Sequence, residues 1–204
     1  MTTVGTSVAL PRDTGRWRPA VLAAGPLGVL ALVAFVAAIV VDGDDELVLA
    51  TSELAIASSV AGLASLVLLI IGLFGVAIRV SSVRRGAGLV GWSIACVGTV
   101  LTAGGQWALL FVLPGLAGSA PDLAANGIGS VQAGYVVSFL VMAVGWLIVG
   151  ITLLRADAPR LASWLVLVGA VFCVAPLPSR FFLLAVAVSL LARSWSTPAG
   201  DSTR

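Results

Sequence analysis

The sequence has 204 residues, of which 60% are hydrophobic and only 10% are charged, and its mean hydropathy is +1.14. Soluble domains are about half apolar and about a quarter charged, so this composition excludes an ordinary soluble domain and indicates an integral membrane protein. The net charge is only +2, and no basic tract marks a nucleic-acid-binding surface, so no nucleic-acid partner is expected.

Six apolar segments follow one another along the chain. The first is uncharged for about 22 residues, which is longer than the apolar part of a signal peptide and long enough to span a bilayer. The last two are separated by Pro176 and Pro178, and a single helix through both would reach about 50 Å, so they are counted as two crossings. The predicted domain is 20–194, with helices at about 20–41, 52–80, 87–113, 131–154, 160–175 and 179–194, between polar tails at 1–19 and 195–204.

The distribution of arginine predicts the orientation of these helices. With the N-terminus inside, ten of the eleven arginines fall on the inner side and only Arg180 falls outside, as the positive-inside rule requires. Most acidic residues fall outside, and Trp17, Trp164 and Trp195 fall at the inner interface. The fold class predicted is therefore all-α: a polytopic membrane bundle of six transmembrane helices, both termini cytoplasmic. Arg without any Lys, beside abundant Ala, Val and Gly, favours a GC-rich bacterial genome and a multi-pass protein of the bacterial plasma membrane.

Small residues recur along the third segment at alternating steps of three and four. This 3.5-residue period places them on one helical stripe, where the absence of bulk lets a neighbouring helix approach closely. The sequence therefore predicts a central, tightly packed helix. Its packing seam is Gly88, Gly91, Ala95, Gly98, Thr102 and Gly105.

The chain lacks most residues that catalysis in a membrane uses. Without His there is no His-based metal site, bis-histidine haem or Ser–His dyad, and without Lys there is no Schiff base. No carboxylate lies within an apolar segment to relay protons. Cys96 and Cys173 lie in apolar segments and are interpreted as small buried hydrophobes. No catalytic residue, cofactor or metal site is predicted, and the protein is predicted not to be an enzyme.

The acidic run Asp42-Gly-Asp-Asp-Glu46 has two interpretations. Clustered carboxylates suit a divalent cation, but their spacing does not match the twelve-residue calcium loop. A solvated outer loop is favoured. At the opposite face, the inner arginines are expected to contact anionic lipid headgroups.

The polar side chains that remain collect toward the predicted outer face. Gln106 stands about six residues from the outer end of the third helix, and the others lie at the outer ends of the second, fourth and sixth. They either form the rim of an outward-facing cavity, with Glu53 and Arg180 paired, or lie separately at the polar interface with Gln106 hydrogen-bonded to a neighbouring helix. The possible outer polar cluster is Glu53, Gln106, Gln132, Tyr135 and Arg180.

The junction between the fourth and fifth segments carries a family resemblance. Gly145-Trp146 precedes Leu154-Arg155, and Pro159-Arg160 precedes Trp164. Over about residues 140–170 the chain resembles the small six-pass membrane proteins of unknown function that are common in GC-rich bacteria. This resemblance implies no activity and no site residues.

Three functions are compatible with the sequence. The leading hypothesis is an accessory, assembly or regulatory membrane subunit that acts through helix–helix contacts with a protein partner or with further copies of itself. The alternative is a small uncoupled permease or channel for an apolar or weakly polar solute, which requires a water-accessible cavity at Gln106. A lipid-modifying enzyme is a third possibility, and it would depend on Glu53 and the outer acidic loop.

Overall fold

The computed structural model describes residues 17–126, 129–156, 158–175 and 180–195, and these residues contain helices and no strand. The helices are α1 (Arg18–Asp42), α2 (Glu46–Thr51), α3 (Glu53–Arg79), α4 (Gly86–Ser119), α5 (Pro121–Asn126), α6 (Gly129–Arg155), α7 (Arg160–Phe172) and α8 (Phe182–Ser194), with a 3-10 turn at Ser81–Arg84.

Four helical segments are long and apolar enough to cross a membrane. They are α1, α3, α4 and the segment Pro121–Arg155 that holds α5 and α6. The structure therefore confirms an all-α architecture with four candidate membrane spans. The helices α7 and α8 have 13 residues each, about 20 Å, which is shorter than the hydrocarbon core of about 30 Å.

The long helices form a row with one basic and one acidic end. In the order α1, α3, α4 and α6, each helix packs on the next. Because neighbours are antiparallel, Arg18 and Arg79 lie at one end of the row, while Asp42 and Glu53 lie at the other. This separation follows from the sequence, since each long apolar segment has charged residues only near its ends.

The helices α7 and α8 form a hairpin that starts from the basic end and returns to it. The α7 helix packs on α6, and α8 packs on α1 and α3. The Arg18 Nε donates to the Ala192 carbonyl at 3.2 Å, and an Arg79 Nη donates to the Trp195 carbonyl at 3.1 Å. The end of α8 therefore lies beside the basic ends of α1 and α3.

The other end of the hairpin stops part of the way along the long helices. The Cα of Phe182 lies beside Gly28, which is 14 residues, or about 21 Å, short of the end of α1. The Phe181 ring lies beside Gly62, which is nine residues, or about 13 Å, below Glu53 on α3. The hairpin thus occupies the basic half of the bundle and ends within its apolar part. This arrangement differs from the two short crossings that the sequence suggested.

The outer connections are more helical than the sequence analysis predicted. The α4 helix was expected to end at 113, before Pro114-Gly115, but it continues through Pro114 to Ser119. Pro114 removes one hydrogen bond of the helix, and contacts with α2 and α5 hold the last turns in place. Consequently Gln106 lies 13 residues from the end of α4 rather than about six.

The region between α1 and α3 is also partly helical. The acidic stretch contains α2, which is capped by the Asp45 side chain accepting from Leu47 N at 2.8 Å. Ser52 caps α3, because its Oγ accepts from Ala55 N at 3.3 Å. After α4, the residues Pro121–Asn126 form the short helix α5.

The helices α4 and α6 approach each other so closely that their backbones touch. A methyl group added to Gly98 would overlap the backbone of Met142, and one added to Gly145 would overlap the backbone of Ala95. The Trp146 indole N–H crosses the same interface and donates to the Thr99 hydroxyl at 3.1 Å. Five of the six seam residues are buried, and Gly105 is half-buried.

Candidate functional site at the hairpin tip

Arg180 lies at the tip of the hairpin, in the apolar part of the bundle rather than at its outer rim. Its guanidinium carbon is 4.8 Å from the centre of the Phe139 ring on α6. Its carbonyl accepts a hydrogen bond from the Cys173 thiol at 3.8 Å, which links the two sides of the tip. A cation over an aromatic face is stabilised most where water is excluded, so Phe139 helps to hold this charge at its depth.

A closed chain of contacts brings two more polar side chains to the tip. The ring of Phe181 and the amide of Gln106 both face Gly62 on α3. The ring of Tyr135 covers Gly105, the neighbour of Gln106, and stacks edge-to-face on Phe139 at 5.0 Å. Because Arg180 lies over that same Phe139, the three polar residues Gln106, Tyr135 and Arg180 are linked through contacts with Phe139, Gly105 and the neighbouring Phe181. We call these three residues the tip site.

Gln106 is nine-tenths buried and makes no hydrogen bond within the described part of the chain. The Tyr135 hydroxyl, which is half-buried, also makes none there. The expected hydrogen bond from Gln106 to a neighbouring helix is therefore not present among the described residues.

The other two residues of the predicted polar cluster lie elsewhere. Glu53 is exposed at the start of α3, about 13 Å along the helix from Gly62, so the expected pair of Arg180 with Glu53 does not form. Gln132 is exposed on α6, about one turn above Tyr135. The structure thus brings together three of the five predicted residues.

Sequence reasoning missed the partners of these residues as well as their depth. Phe139, Cys173 and Phe181 belong to the tip, yet each is an apolar residue within an apolar segment. The signal available was length, because apolar runs of about 10–14 residues are typical of re-entrant segments, and the prolines at 176 and 178 mark a break. Residues 176–179 lie outside the described residues.

Beyond the tip, α1 and α6, which are the helices at the two ends of the row, each have one side without a packing partner among the described residues. The hairpin separates α1 from α6 in the basic half, and within the described residues α1 and α6 make no contact with each other. Apolar side chains on the outer halves of both helices are 43–78% exposed. They are Val33, Val36 and Val40 on α1, and Val131, Val136, Val137 and Leu140 on α6. These side chains form exposed apolar surface on the two helices at the ends of the row.

Toward the basic end, the tip site is closed by packed side chains. Leu73, Leu184 and Val188 are fully buried below it. Beyond them lies a cavity of about 440 Å³ at the basic end, lined in part by Arg79, Ser82 and Trp195. The Ser82 hydroxyl is buried without a partner among the described residues.

The acidic residues near α2 act as local structural groups. Asp45 caps α2, and the Ser52 hydroxyl donates to an Asp42 carboxylate oxygen. Among the described residues, no group of three or more His, Cys, Asp or Glu side chains is arranged to hold a metal ion.

The tip site offers a guanidinium, an amide NH₂ and a phenolic O–H. Each of these groups can donate a hydrogen bond. Apart from Asp122 and Asp157, residues 54–195 contain no Asp or Glu. The guanidinium suits an acceptor-rich group, and the amide and the phenol, which both donate and accept, suit a polar solute.

No protein-family model, curated protein or solved structure matches this chain.

Proposed function

We propose that this chain is a permease-type protein of the bacterial plasma membrane that binds a polar solute at the tip site and has both termini in the cytoplasm. The observation that carries the proposal is the position of Arg180, Gln106 and Tyr135 within the apolar part of the bundle. Ionisable residues at such depth are costly and usually serve binding or transport, and irregular backbone there usually lines a cavity.

The orientation supports a site reached from outside the cell. The arginines that lie at the basic end favour the cytoplasmic side, which directs the open side of the tip site outward. The packed layer of Leu73, Leu184 and Val188 closes the path to the cytoplasm. The arrangement corresponds to an outward-facing state of a carrier, and transport would require the hairpin to move against α3.

Labelling of a cysteine at position 106 tests this proposal. The variant Gln106→Cys is made in a chain in which Cys96 and Cys173 are replaced by Ala, and right-side-out vesicles receive a charged, membrane-impermeant thiol reagent. The matched control is Leu109→Cys, because Leu109 lies one turn nearer the outer end of α4 and is 39% exposed.

We expect position 106 to react at least about tenfold faster than position 109, although it lies deeper, because water reaches the tip site and not the lipid-facing surface. Equal, slow labelling of both cysteines would show that no aqueous cavity exists and would refute the proposal.

A second candidate function is an accessory or assembly subunit that acts through helix–helix contacts. The exposed apolar surfaces on the outer halves of α1 and α6 favour it, because a partner helix would cover them. Purification in mild detergent tests this candidate. A stable complex with another membrane protein, or a homo-oligomer, supports it, and a monomer without a partner argues against it.

A further inference from the structure

We infer that the groove between α1 and α8, in the basic half of the bundle, holds one anionic phospholipid, with an acyl chain along the groove and the phosphate at Arg18 and Arg193. Neither the groove nor these arginines belong to the tip site, so this lipid site is separate from the proposed binding of a solute.

The floor of the groove is a close contact between a glycine and a serine. The Gly25 N–H donates to the Ser189 hydroxyl at 2.8 Å, and that hydroxyl donates to the Val21 carbonyl at 3.1 Å. A methyl group added to Gly25 would overlap Ser189, so α1 and α8 meet here because position 25 has no side chain. The serine hydroxyl is already bonded on both sides, so an acyl chain above it leaves no hydroxyl without a partner.

The walls of the groove are aliphatic and about as long as one leaflet. Its volume is about 500 Å³, and the walls include Leu22, Val29, Leu30 and Val33 on α1, with Val186 and Leu190 on α8. From Leu22 to Val33 the groove extends about 16 Å along α1. The hydrocarbon core is about 30 Å thick, so each leaflet contributes about 15 Å. The length of the groove therefore matches one acyl chain.

Two arginines lie where the groove reaches the basic end. Arg193 lines the groove one turn beyond Ser189 on α8, and Arg18 lies one turn before Leu22 on α1. Each arginine continues the stripe of its helix that lines the groove, because residues four apart lie on the same face. The two arginines are also neighbours, since the Arg18 Nε donates at 3.2 Å to the carbonyl of Ala192, the residue before Arg193.

These arginines favour an anionic head over a zwitterionic one. A guanidinium has five N–H donors, so both arginines can hold phosphate oxygens in addition to the contacts that they make within the chain. A choline head would add a third positive charge beside them, which is unfavourable. The acidic residues that the structure describes all lie at the opposite end of the bundle, and they are Asp42, Asp44, Asp45, Glu46, Glu53 and Asp122.

Native mass spectrometry of the full-length chain, released from detergent micelles, tests the inference. The probes are dioleoyl phosphatidylglycerol, dioleoyl phosphatidylcholine with the same chains and no net charge, and glycerol 3-phosphate as a phosphate head without chains. We expect one phosphatidylglycerol to bind at least about tenfold more tightly than either of the other probes, because each arginine near the membrane surface attracts an anionic head.

Removal of the two arginines tests the head-group end. The double variant Arg18→Gln, Arg193→Gln should bind phosphatidylglycerol about tenfold or more weakly, and the corresponding double Lys variant should keep most of the affinity. The matched control is Arg84→Gln with Arg85→Gln, which removes the same charge from exposed residues at the same end of the bundle and should leave binding unchanged. Should the double variant fail to fold, Arg193→Gln alone changes an exposed residue and should weaken binding about fivefold.

A bulky side chain in the groove tests the acyl end. Val29→Trp should weaken phosphatidylglycerol binding by about tenfold, because the indole and the acyl chain compete for the same volume. The matched control is Val97→Trp on α4, outside the groove. Val29 and Val97 are 41% and 55% exposed, and each lies 11 residues from the start of its helix.

Three outcomes would overturn the lipid site. Equal binding of the two phospholipids, or equal weakening by the two pairs of Gln variants, would show attraction to the overall charge of the surface. Unchanged affinity in Val29→Trp would show that no acyl chain lies in the groove. A stable dimer that binds no phosphatidylglycerol, and that Val29→Trp but not Val97→Trp disrupts, would show that a second copy of the chain occupies the groove. Labelling at position 106 tests the proposed function separately from all of these measurements.

Discussion

Gln106 shows what a single residue type reveals and what it does not. Its position as a strongly polar side chain inside an apolar helix was visible in the sequence, and so was the presence of Arg180 between two apolar segments. Their proximity was not visible, because it depends on where the hairpin stops relative to α3 and α4. The aromatic groups that hold the site, Phe139 and Phe181, are indistinguishable in the sequence from ordinary apolar side chains.

The hydrogen bond from the Trp146 indole to the Thr99 hydroxyl leads to a testable prediction about stability. Trp146→Phe removes the indole N–H, and Thr99→Val removes the hydroxyl. Either change breaks this hydrogen bond between α4 and α6. Because both variants lose the same interaction, their effects on the free energy of unfolding should be non-additive, with a coupling of about 0.6 kcal/mol, as is typical of membrane proteins.

Unfolding in a series of detergent mixtures measures the four free energies of this cycle. The control pair is Trp92→Phe with Thr99→Val. The Trp92 indole donates to the Leu73 carbonyl on α3 at 3.0 Å and shares no partner with Thr99, so this pair should be additive. Additive effects for Trp146 and Thr99 would show that the bond between them contributes nothing to stability.

The helices themselves were largely predictable, because each long apolar segment has charges at its ends and small residues along one stripe. Two features were not. Pro114 suggested a helix end, but tertiary contacts of α4 with α2 and α5 outweigh the lost hydrogen bond. The last two segments suggested short crossings, because sequence alone does not show against which part of α1 and α3 they pack. Depth is a property of packing between helices, not of any one helix.

The close contact of α4 with α6 makes a prediction at the level of helices. Gly145→Ala should destabilise the protein by about 1–3 kcal/mol, since the added methyl group meets the backbone of Ala95, which cannot move without shifting the whole helix. Gly134→Ala is the matched control on the same helix, because no atom lies within 4 Å of its added methyl group. It should leave stability unchanged or raise it by about 0.5–1 kcal/mol through helix propensity.

Thermal unfolding of the two alanine variants in one detergent measures this difference. Equal stability of Gly145→Ala and Gly134→Ala would mean that α4 and α6 are farther apart than the structure places them.

For the whole molecule, the hairpin packs between α1 and α6 in the basic half of the bundle, and beyond its tip the described residues include no contact between these two helices. The position of the tip site depends on this arrangement, because full-length crossings would carry Arg180 toward the level of Glu53 and away from Phe139. The proposed binding of a solute therefore depends on the depth at which the hairpin ends.

A distance between spin labels at Val41 and Leu183 measures that depth most directly. The labels are attached in nanodiscs to cysteines at these positions, in the chain without Cys96 and Cys173, and the distance is read by pulsed electron paramagnetic resonance. Since Leu183 lies near the level of Gly28, the two sites are about 20 Å apart along α1, and we predict a separation of about 20 Å or more. A separation of about 10 Å, the spacing of two helices packed side by side, would place the start of α8 at the outer face and contradict the re-entrant hairpin.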